Sequence, residues 1–362
     1  MRIGIVLGTR PEVIKMSPII RACIRRDADF FLLHTGQHYS FEMDKALFDE
    51  LDLPVPRYRL DVGSGGHGEQ TAKMLAGIEN VLLRDPADIV LVEGDTNTTI
   101  AGALAAAKLP VVVAHVEAGL RSGDRSTPEE VNRIVVDHLS DLLFAPTDRA
   151  RESLLAEGIA PERIFVTGNT IVDAVVENRA RAEVESTVLE RLGITAGTFV
   201  LMTAHRQENA DIAARFRGIL DGATRVGREL GMPVVYPIHP RSRKMLGELG
   251  LEAAAAGLRL IEPLNYLDFL RLESTARLIL SDSGGVQEEA CIIGVPCVTL
   301  RDSTERPEAI AVGASVLAGA DPAVIVEKAR AHACAPRGWT QPFGDGRAGE
   351  RILEIVRRWR RE

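Results

Sequence analysis

Aromatic residues are scarce in this chain: Phe, Trp and Tyr together make up 4% of its 362 residues. A core must then be built from Val, Ile, Leu and Ala, a composition that suits parallel strands buried beneath helices. Cysteine is scarce too. Cys23, Cys291, Cys297 and Cys334 show no CxxC spacing and are too few to staple a chain of this length. They read as reduced, buried thiols, with the cytoplasm as the expected compartment. No apolar run reaches the roughly 18 residues that span a bilayer, and the opening residues MRIGIVLG read as a strand rather than a leader. A basic excess is also missing. The formal net charge is -8, which argues against a protein that coats nucleic acid but leaves room for binding one anionic nucleotide.

What is present is ordinary for a globular protein, 46% hydrophobic and 26% charged. At roughly 150 residues per domain the length favours two domains. Short apolar strands alternate with helices from the start: Ile3–Leu7, Phe30–His34, Asp88–Val92, Val111–Val116, Leu142–Ala145 and Ile164–Thr167. The helix Thr98–Lys108 between two of these makes a βαβ unit, whose strands should be parallel. A break at Gly168-Asn169-Thr170 and a charged helical stretch over 172–191 precede a second set of strands. These are Phe199–Met202, Val234–Pro237, Leu258–Ile261, Leu278–Leu280 and Cys297–Leu300. The expected organisation is two Rossmann-like, doubly wound α/β domains, 1–168 and 169–345, with a cleft between them. A C-terminal helix, about 346–362, packs back on the first. Ile352, Ile355, Val356 and Trp359 lie on one face of that helix, which suits docking on a domain rather than a membrane.

In open parallel sheets ligands bind beyond the carboxyl ends of the strands, so polar residues there are the candidates. The first strand ends in Gly8-Thr9-Arg10-Pro11-Glu12. Gly8 permits close approach of backbone to a ligand, and Arg10 and Lys15 put positive charge near a helix N-terminus, where an anion is favoured. A turn glycine with two surface cations would look the same. Asp95 follows one strand of the βαβ unit and Glu117 the other, so the two carboxylates should be neighbours. Such a pair has its pKa values pushed apart, which supplies both an acid and a base. Asp95 also sits where a helix cap would. Thr127-Pro128-Glu129-Glu130 reads as a helix start, with Arg133 one turn on and able to pair with an acid or a phosphate. In the second half, His205 stands beside Arg206 after the first strand. Ser283, Gly284 and Gly285 open a helix and offer a hydroxyl and N–H groups to a phosphate. Glu289 could accept from ribose hydroxyls, and Arg306 follows the next strand. Gly63-Ser64-Gly65-Gly66-His67-Gly68 satisfies GxGxxG, yet the segment before it, Arg57–Val62, is short and polar. A dinucleotide site needs an apolar strand there, so the reading is a mobile glycine loop over the cleft, not NAD binding.

Together these stretches resemble the non-hydrolysing UDP-N-acetylglucosamine 2-epimerases. The matching motifs, in order over about residues 3–318, are GTRPEVIKMSP, HTGQHY, EGDTNTTIAGALAA, HVEAGLRSGDR, PEEVNR, FAPT, VTGNTIVDA, TAHRQEN, YPIHPR, SDSGGVQEEA and RDSTERPEA. The resemblance implies a GT-B fold and interconversion of UDP-GlcNAc and UDP-ManNAc by a cytoplasmic homodimer that needs neither NAD nor a metal. It implies acid–base positions at Asp95, Glu117 and Glu129, and UDP and leaving-group stabilisation at His205. Nucleotide-sugar contacts fall on Arg10, Lys15, Ser283, Gly284, Gly285, Glu289 and Arg306, with Phe269 near the uracil; Arg133 joins them as a substrate-binding candidate from its place one turn into the helix. Three features depart from the pattern. Leu264-Asn265-Tyr266 replaces Gln-Glu-Tyr, so one uracil contact should come from backbone. Glu93 stands where glutamine is commoner. HTGQHYSFEMDK lacks glutamines with which some bacterial members hold a second, activating UDP-GlcNAc, which argues against such activation. Competing readings are an epimerase for UDP-2,3-diacetamido-glucuronate, a GT-B glycosyltransferase, a hydrolysing enzyme that releases free ManNAc, and a non-catalytic sugar-binding module.

Overall fold

The computed structural model describes residues 1–37, 41–125 and 127–359, and the side chains of all of these except 41–44. The chain divides into two compact units: Met1–Ala174 with the segment from Phe343 on, and Val175–Pro342.

The first unit is built on seven parallel strands: β1 (Arg2–Leu7), β2 (Asp29–His34), β3 (Tyr58–Arg59), β4 (Ile89–Glu93), β5 (Val112–Val116), β6 (Leu142–Ala145) and β7 (Ile164–Val166). Their order in the sheet is β3-β2-β1-β4-β5-β6-β7. The second unit has six: β8 (Val200–Thr203), β9 (Val234–Pro237), β10 (Arg259–Ile261), β11 (Leu278–Ser281), β12 (Cys297–Thr299) and β13 (Ser315–Leu317), in the order β10-β9-β8-β11-β12-β13. Each sheet grows outward from its first strand in one direction and then reverses. The reversal falls between β1 and β4 in one unit and between β8 and β11 in the other, and such switch points are where doubly wound folds bind ligands.

The cores answer to the shortage of aromatics. On one face of the first sheet Val6, Leu33, Val90, Val92 and Val113 meet Ala101, Ala103, Ala105 and Ala106 of the Asn97–Ala107 helix. Small residues let that helix sit close. A Cβ at Gly102 would come within 2.9 Å of a Val92 methyl and 3.2 Å of one of Val6. In the second unit Val200, Met202, Val234, Leu278, Leu280 and Val298 pack against Phe216, Ile219, Leu220 and Ala223 of the Ala213–Leu230 helix. Cys23, Cys291 and Cys297 are buried and Cys334 is exposed. Burial pushes the three buried thiols up to about 12, which keeps them protonated and unreactive. Among the described residues no helix is long and apolar enough to cross a membrane.

The Ala348–Arg358 helix lies on the Arg10–Arg25 helix of the first unit. Asp173 accepts the N–H groups of Ala348 and Gly349 at 3.1 and 2.8 Å, and Arg25 pairs with Glu350 at 2.7 Å. The contact depends on Gly349, where a Cβ would fall 2.9–3.1 Å from backbone and Cβ atoms of Pro18 and Ile19. Overpacking of this kind costs about 1–3 kcal/mol. Gly349→Val should therefore lower the thermal midpoint by several degrees, measured by calorimetry; an unchanged midpoint would show that this contact yields freely.

Candidate active site

Gly8 has a packing reason for being glycine. A Cβ there would lie 1.9 Å from the Thr35 hydroxyl oxygen and 2.4 Å from that of Thr98, so the turn after β1 packs closely against the turn after β2 and the start of the Asn97–Ala107 helix. Those hydroxyls bond each other at 2.7 Å, and Gln37 accepts from the Thr98 hydroxyl at 2.8 Å. Glu12, 1% exposed, accepts the N–H groups of Gly8 and Thr9, both at 2.7 Å, fixing the turn that delivers half-buried Arg10. Burial raises the Glu12 pKa against the opposing hydrogen bonds from Thr96, Gly8 and Thr9.

One helical turn on from that start, Lys15 is buried and engaged by acids. It hydrogen-bonds the Glu117 carboxylate, and its Nζ lies 3.5 Å from Glu93 Oε1. Asn169 Nδ2 also donates to Glu117, at 3.1 Å. Glu117 occupies the left-handed region at φ 67°, which costs a non-glycine residue of order 1–3 kcal/mol and clusters at functional sites. The turn it opens is held by Gly119, φ 84°, where a Cβ would strike the Ala150 carbonyl oxygen at 2.3 Å.

Asp95 is held from one helix, Pro128–Leu139. Arg133 pairs with its carboxylate and, at 2.8 Å, with Glu130, while Asn132 Nδ2 donates to the Asp95 carbonyl at 2.8 Å. Glu130 accepts the N–H groups of Ser122 and Gly123, each at 2.9 Å. Asp137, fully buried, accepts from His115 Nδ1 at 2.7 Å, from Gly119 N–H at 3.1 Å and from Arg121 at 2.8 Å. The other His115 ring nitrogen meets the Gly94 carbonyl at 2.8 Å. Residues 130, 133 and 137 follow the i, i+3, i+7 spacing of one helix face. That buried polar stripe braces both loops carrying the candidate acids. Glu129 is half-buried, and its side chain makes no hydrogen bond or ion pair among the described residues. The structure thus gathers Asp95, Glu117, Lys15 and Arg133 about the β1/β4 switch point. His115, Asp137, Asn132 and Asn169 were missed in the sequence.

In the second unit the β8/β11 switch point brings His205 and Ser283 together through Asp282. Buried Asp282 accepts the N–H groups of His205 and Arg206, the latter at 2.9 Å, and its Oδ1 lies 3.3 Å from His205 Nδ1. The His205 ring lies 5.5 Å from that of His239. Ser283 caps the Gly284–Ile293 helix, and Arg306 lies against Gly284, where a Cβ would come within 3.1 Å of the guanidinium. Arg306 Nε is 3.2 Å from Glu288. Phe269 is half-buried on the Tyr266–Thr275 helix and Glu289 is buried. Burial works to raise the Asp282 pKa, but His205 and the donated N–H groups outweigh it and hold the carboxyl below its ordinary value. A depressed carboxylate contributes stability above the unfolded pKa and loses it as pH falls through the folded one. Asp282→Asn should cost about 1–3 kcal/mol at neutral pH, and wild type and variant should converge only as pH falls through the folded pKa of Asp282, below its ordinary value. Urea unfolding at several pH values measures this; a gap that persists in acid would refute it.

The Gly63–Gly68 stretch leads from β3 into the His67–Arg84 helix, with Gln70 donating to the Gly63 carbonyl at 2.8 Å. Its preceding strand has only two residues, at the sheet edge, not at the switch point. The HTGQHYSFEMDK segment, read for a second nucleotide sugar, includes residues 38–40, which lie outside the described residues. Among the described residues no three His, Cys, Asp or Glu side chains are grouped to hold a metal ion.

Two doubly wound parallel sheets in one chain, each with polar loops at its switch point, define an α/β protein of the GT-B type. The family model for UDP-N-acetylglucosamine 2-epimerase matches residues 21–357, and the chain belongs to that family. It is 50% identical over 361 residues to the UDP-N-acetylglucosamine 2-epimerase of Methanocaldococcus jannaschii, covering 98% of this chain and 99% of the relative. It is 40% identical over 364 residues to the UDP-2,3-diacetamido-2,3-dideoxy-D-glucuronate 2-epimerase of Pseudomonas aeruginosa, covering 98% and 99%. The crystal structure of the M. jannaschii enzyme in complex with UDP-GlcNAc and UDP superposes with a TM-score of 0.94, covering 99% of both chains.

Proposed function

We propose that this chain interconverts UDP-GlcNAc and UDP-ManNAc. The observation that carries the reading is the joining of Asp95 and Glu117 to buried cations at one switch point, in a chain 50% identical to an enzyme of that name. The C2 proton of the sugar has no adjacent carbonyl to acidify it, so direct removal is unfavourable. Expelling UDP from C1 while a carboxylate takes the C2 proton solves this and leaves a 2-acetamidoglucal. Protonation on the opposite face of C2 and return of the UDP oxygen to C1 then give the epimer. The route requires carboxylates at C2 and cationic or N–H groups at the diphosphate.

Asp95, Glu117 and Glu129 are assigned the acid–base work. Arg10, His205, Arg306 and the Ser283–Gly285 turn are assigned to the diphosphate, Glu289 to the ribose and Phe269 to the uracil. Lys15 and Arg133 are already held by Glu117 and Asp95, so they act on the substrate through those carboxylates. The protein is proposed to work as a cytoplasmic homodimer, without NAD or a metal. Incubation with UDP-GlcNAc alone in deuterated water tests the reaction. Deuterium should enter C2 of both nucleotide sugars, read by NMR. An unlabelled sugar overturns the proposal, free ManNAc points to a hydrolase, and turnover of UDP-2,3-diacetamido-glucuronate alone moves the substrate to that of the P. aeruginosa relative.

A further inference from the structure

Glu93 ends β4, two residues before Asp95, and its side chain is 3% exposed. Four ionisable side chains face it. Glu12 and Lys15 come from the Arg10–Arg25 helix, Asp95 from the turn after β4, and Glu117 from the end of β5. With Glu93 that makes four carboxyls around one ammonium.

Three of those carboxyls are well served. Glu12 accepts from Gly8 N–H, Thr9 N–H and the hydroxyls of Thr96 and Thr99. Asp95 pairs with Arg133, and Glu117 accepts from Lys15 and Asn169. Glu93 is different. Its Oε1 is buried and accepts no hydrogen bond among the described residues, although Lys15 Nζ lies 3.5 Å away, because the ammonium is aimed at Glu117. A buried carboxylate oxygen without a donor is costly enough that such a group binds a proton instead. Burial chiefly, and then the charges of Glu117, Glu12 and Asp95, raise the Glu93 pKa well above its usual value; Lys15 opposes them without prevailing.

We propose that Glu93 is a positioning residue for the epimerisation: carrying a proton, it leaves Lys15 on Glu117, and on ionising it draws Lys15 away and disables the acid–base pair. The inference rests on the proposed reaction. Its physical content is a division of one lysine between two carboxyls. While Glu93 is neutral, Lys15 holds Glu117 ionised and oriented. When Glu93 loses its proton to solvent, it competes with Glu117 for Lys15, so Glu117 loses the contact that orients it, and the added negative charge opposes return of anionic UDP. Turnover should therefore fall as pH rises through the folded pKa of Glu93.

Two measurements test it. Glu93→Gln mimics the protonated carboxyl permanently. The alkaline limb of the kcat profile, which reports ionisations in the substrate complex, should move up by about one pH unit or more. Glu93→Met, apolar and of similar length, should move the limb the same way, and replaces the amide if that variant does not fold. A merely structural role for Glu93 would change the height of the profile and leave its limb in place. The second measurement needs no turnover: ¹³C NMR of protein labelled at the glutamate carboxyl carbons, with Glu93 assigned by the resonance missing from the variant. That resonance should titrate above the ordinary carboxylate range. A limb that coincides with wild type, or a resonance titrating in the ordinary range, overturns the proposal. A wild-type protein that converts no UDP-GlcNAc but keeps a high-titrating Glu93 overturns the substrate reading and leaves the protonated Glu93 standing.

Discussion

Asp95→Asn is expected to reduce kcat by about 10²–10⁴-fold, the usual worth of a positioned acid or base, while UDP binding survives. The substitution is nearly isosteric, and the surroundings favour retention of the fold. The Asn132 amide holds the Asp95 carbonyl rather than its carboxyl, and Thr96 caps the following helix with its own hydroxyl. Arg133 keeps Glu130 as a partner and can still donate to an amide oxygen. What is lost is the ability to take or give a proton. The groups assigned to UDP in the second unit, His205, the Ser283 turn and Arg306, belong to a separate core. Steady-state kinetics with both UDP-sugars and calorimetric titration with UDP would check the two halves of this expectation. Near-normal turnover would remove Asp95 from the chemistry. Loss of UDP affinity would instead mean that the substitution disturbs more than one carboxyl.

The strands carrying these residues were legible in the sequence because each is a short run of Val, Ile and Leu buried on both faces and ending in Gly, Asp, Glu or Ser. Two strands were not. β3 is the dipeptide Tyr58-Arg59 on the sheet edge, and β13 is Ser315–Leu317, half-buried; neither offers an apolar run long enough to read. The charged stretch over 172–191 is two helices, Thr170–Glu185 and Val188–Leu192, split where Thr187 opens the second. Strand-end position pointed to Asp95 and Glu117, since parallel strands in one βαβ unit must finish side by side. It could not show how they are held. Lys15 looked like a surface cation awaiting a phosphate because its partner Glu117 is 102 residues away. Glu130 looked like an acid suited to a helix start, Arg133 was read as able to pair with an acid or a phosphate and does pair with Glu130, and Asp137 drew no notice. The i, i+3, i+7 spacing of the three was the available signal, but a polar stripe usually marks a solvated face. Here it faces inward because two loops bring backbone N–H groups to meet it. The left-handed backbone of Glu117 was beyond reach for a similar reason: only the packed turn, with Gly119 against Ala150, imposes it.

Lys15→Met should cost both stability and turnover, and the two losses should part company in a double variant. Methionine keeps the length and much of the volume of the side chain but removes its charge. Glu117, 6% exposed, would keep the Asn169 amide and lose its charged partner. Removing one member of a buried pair typically costs about 3–5 kcal/mol, because the other is left uncompensated. Without the ammonium, burial would push the Glu117 carboxyl toward its neutral form. Stability of the variant should then improve as pH falls, since the native state takes up a proton that the unfolded chain at the same pH does not hold. A neutral Glu117 is a poor base, so kcat should drop by roughly 10²-fold or more. Adding Glu117→Gln to Lys15→Met removes the stranded charge and should return much of the lost stability, a coupling expected of residues in direct contact. It should return none of the activity. Urea unfolding across pH and kinetics on the three variants would decide the matter. Equal stability of the single and double variants would show that Lys15 does not hold Glu117 as an ion pair. Recovered turnover in the double variant would show that Glu117 has no part in moving the C2 proton.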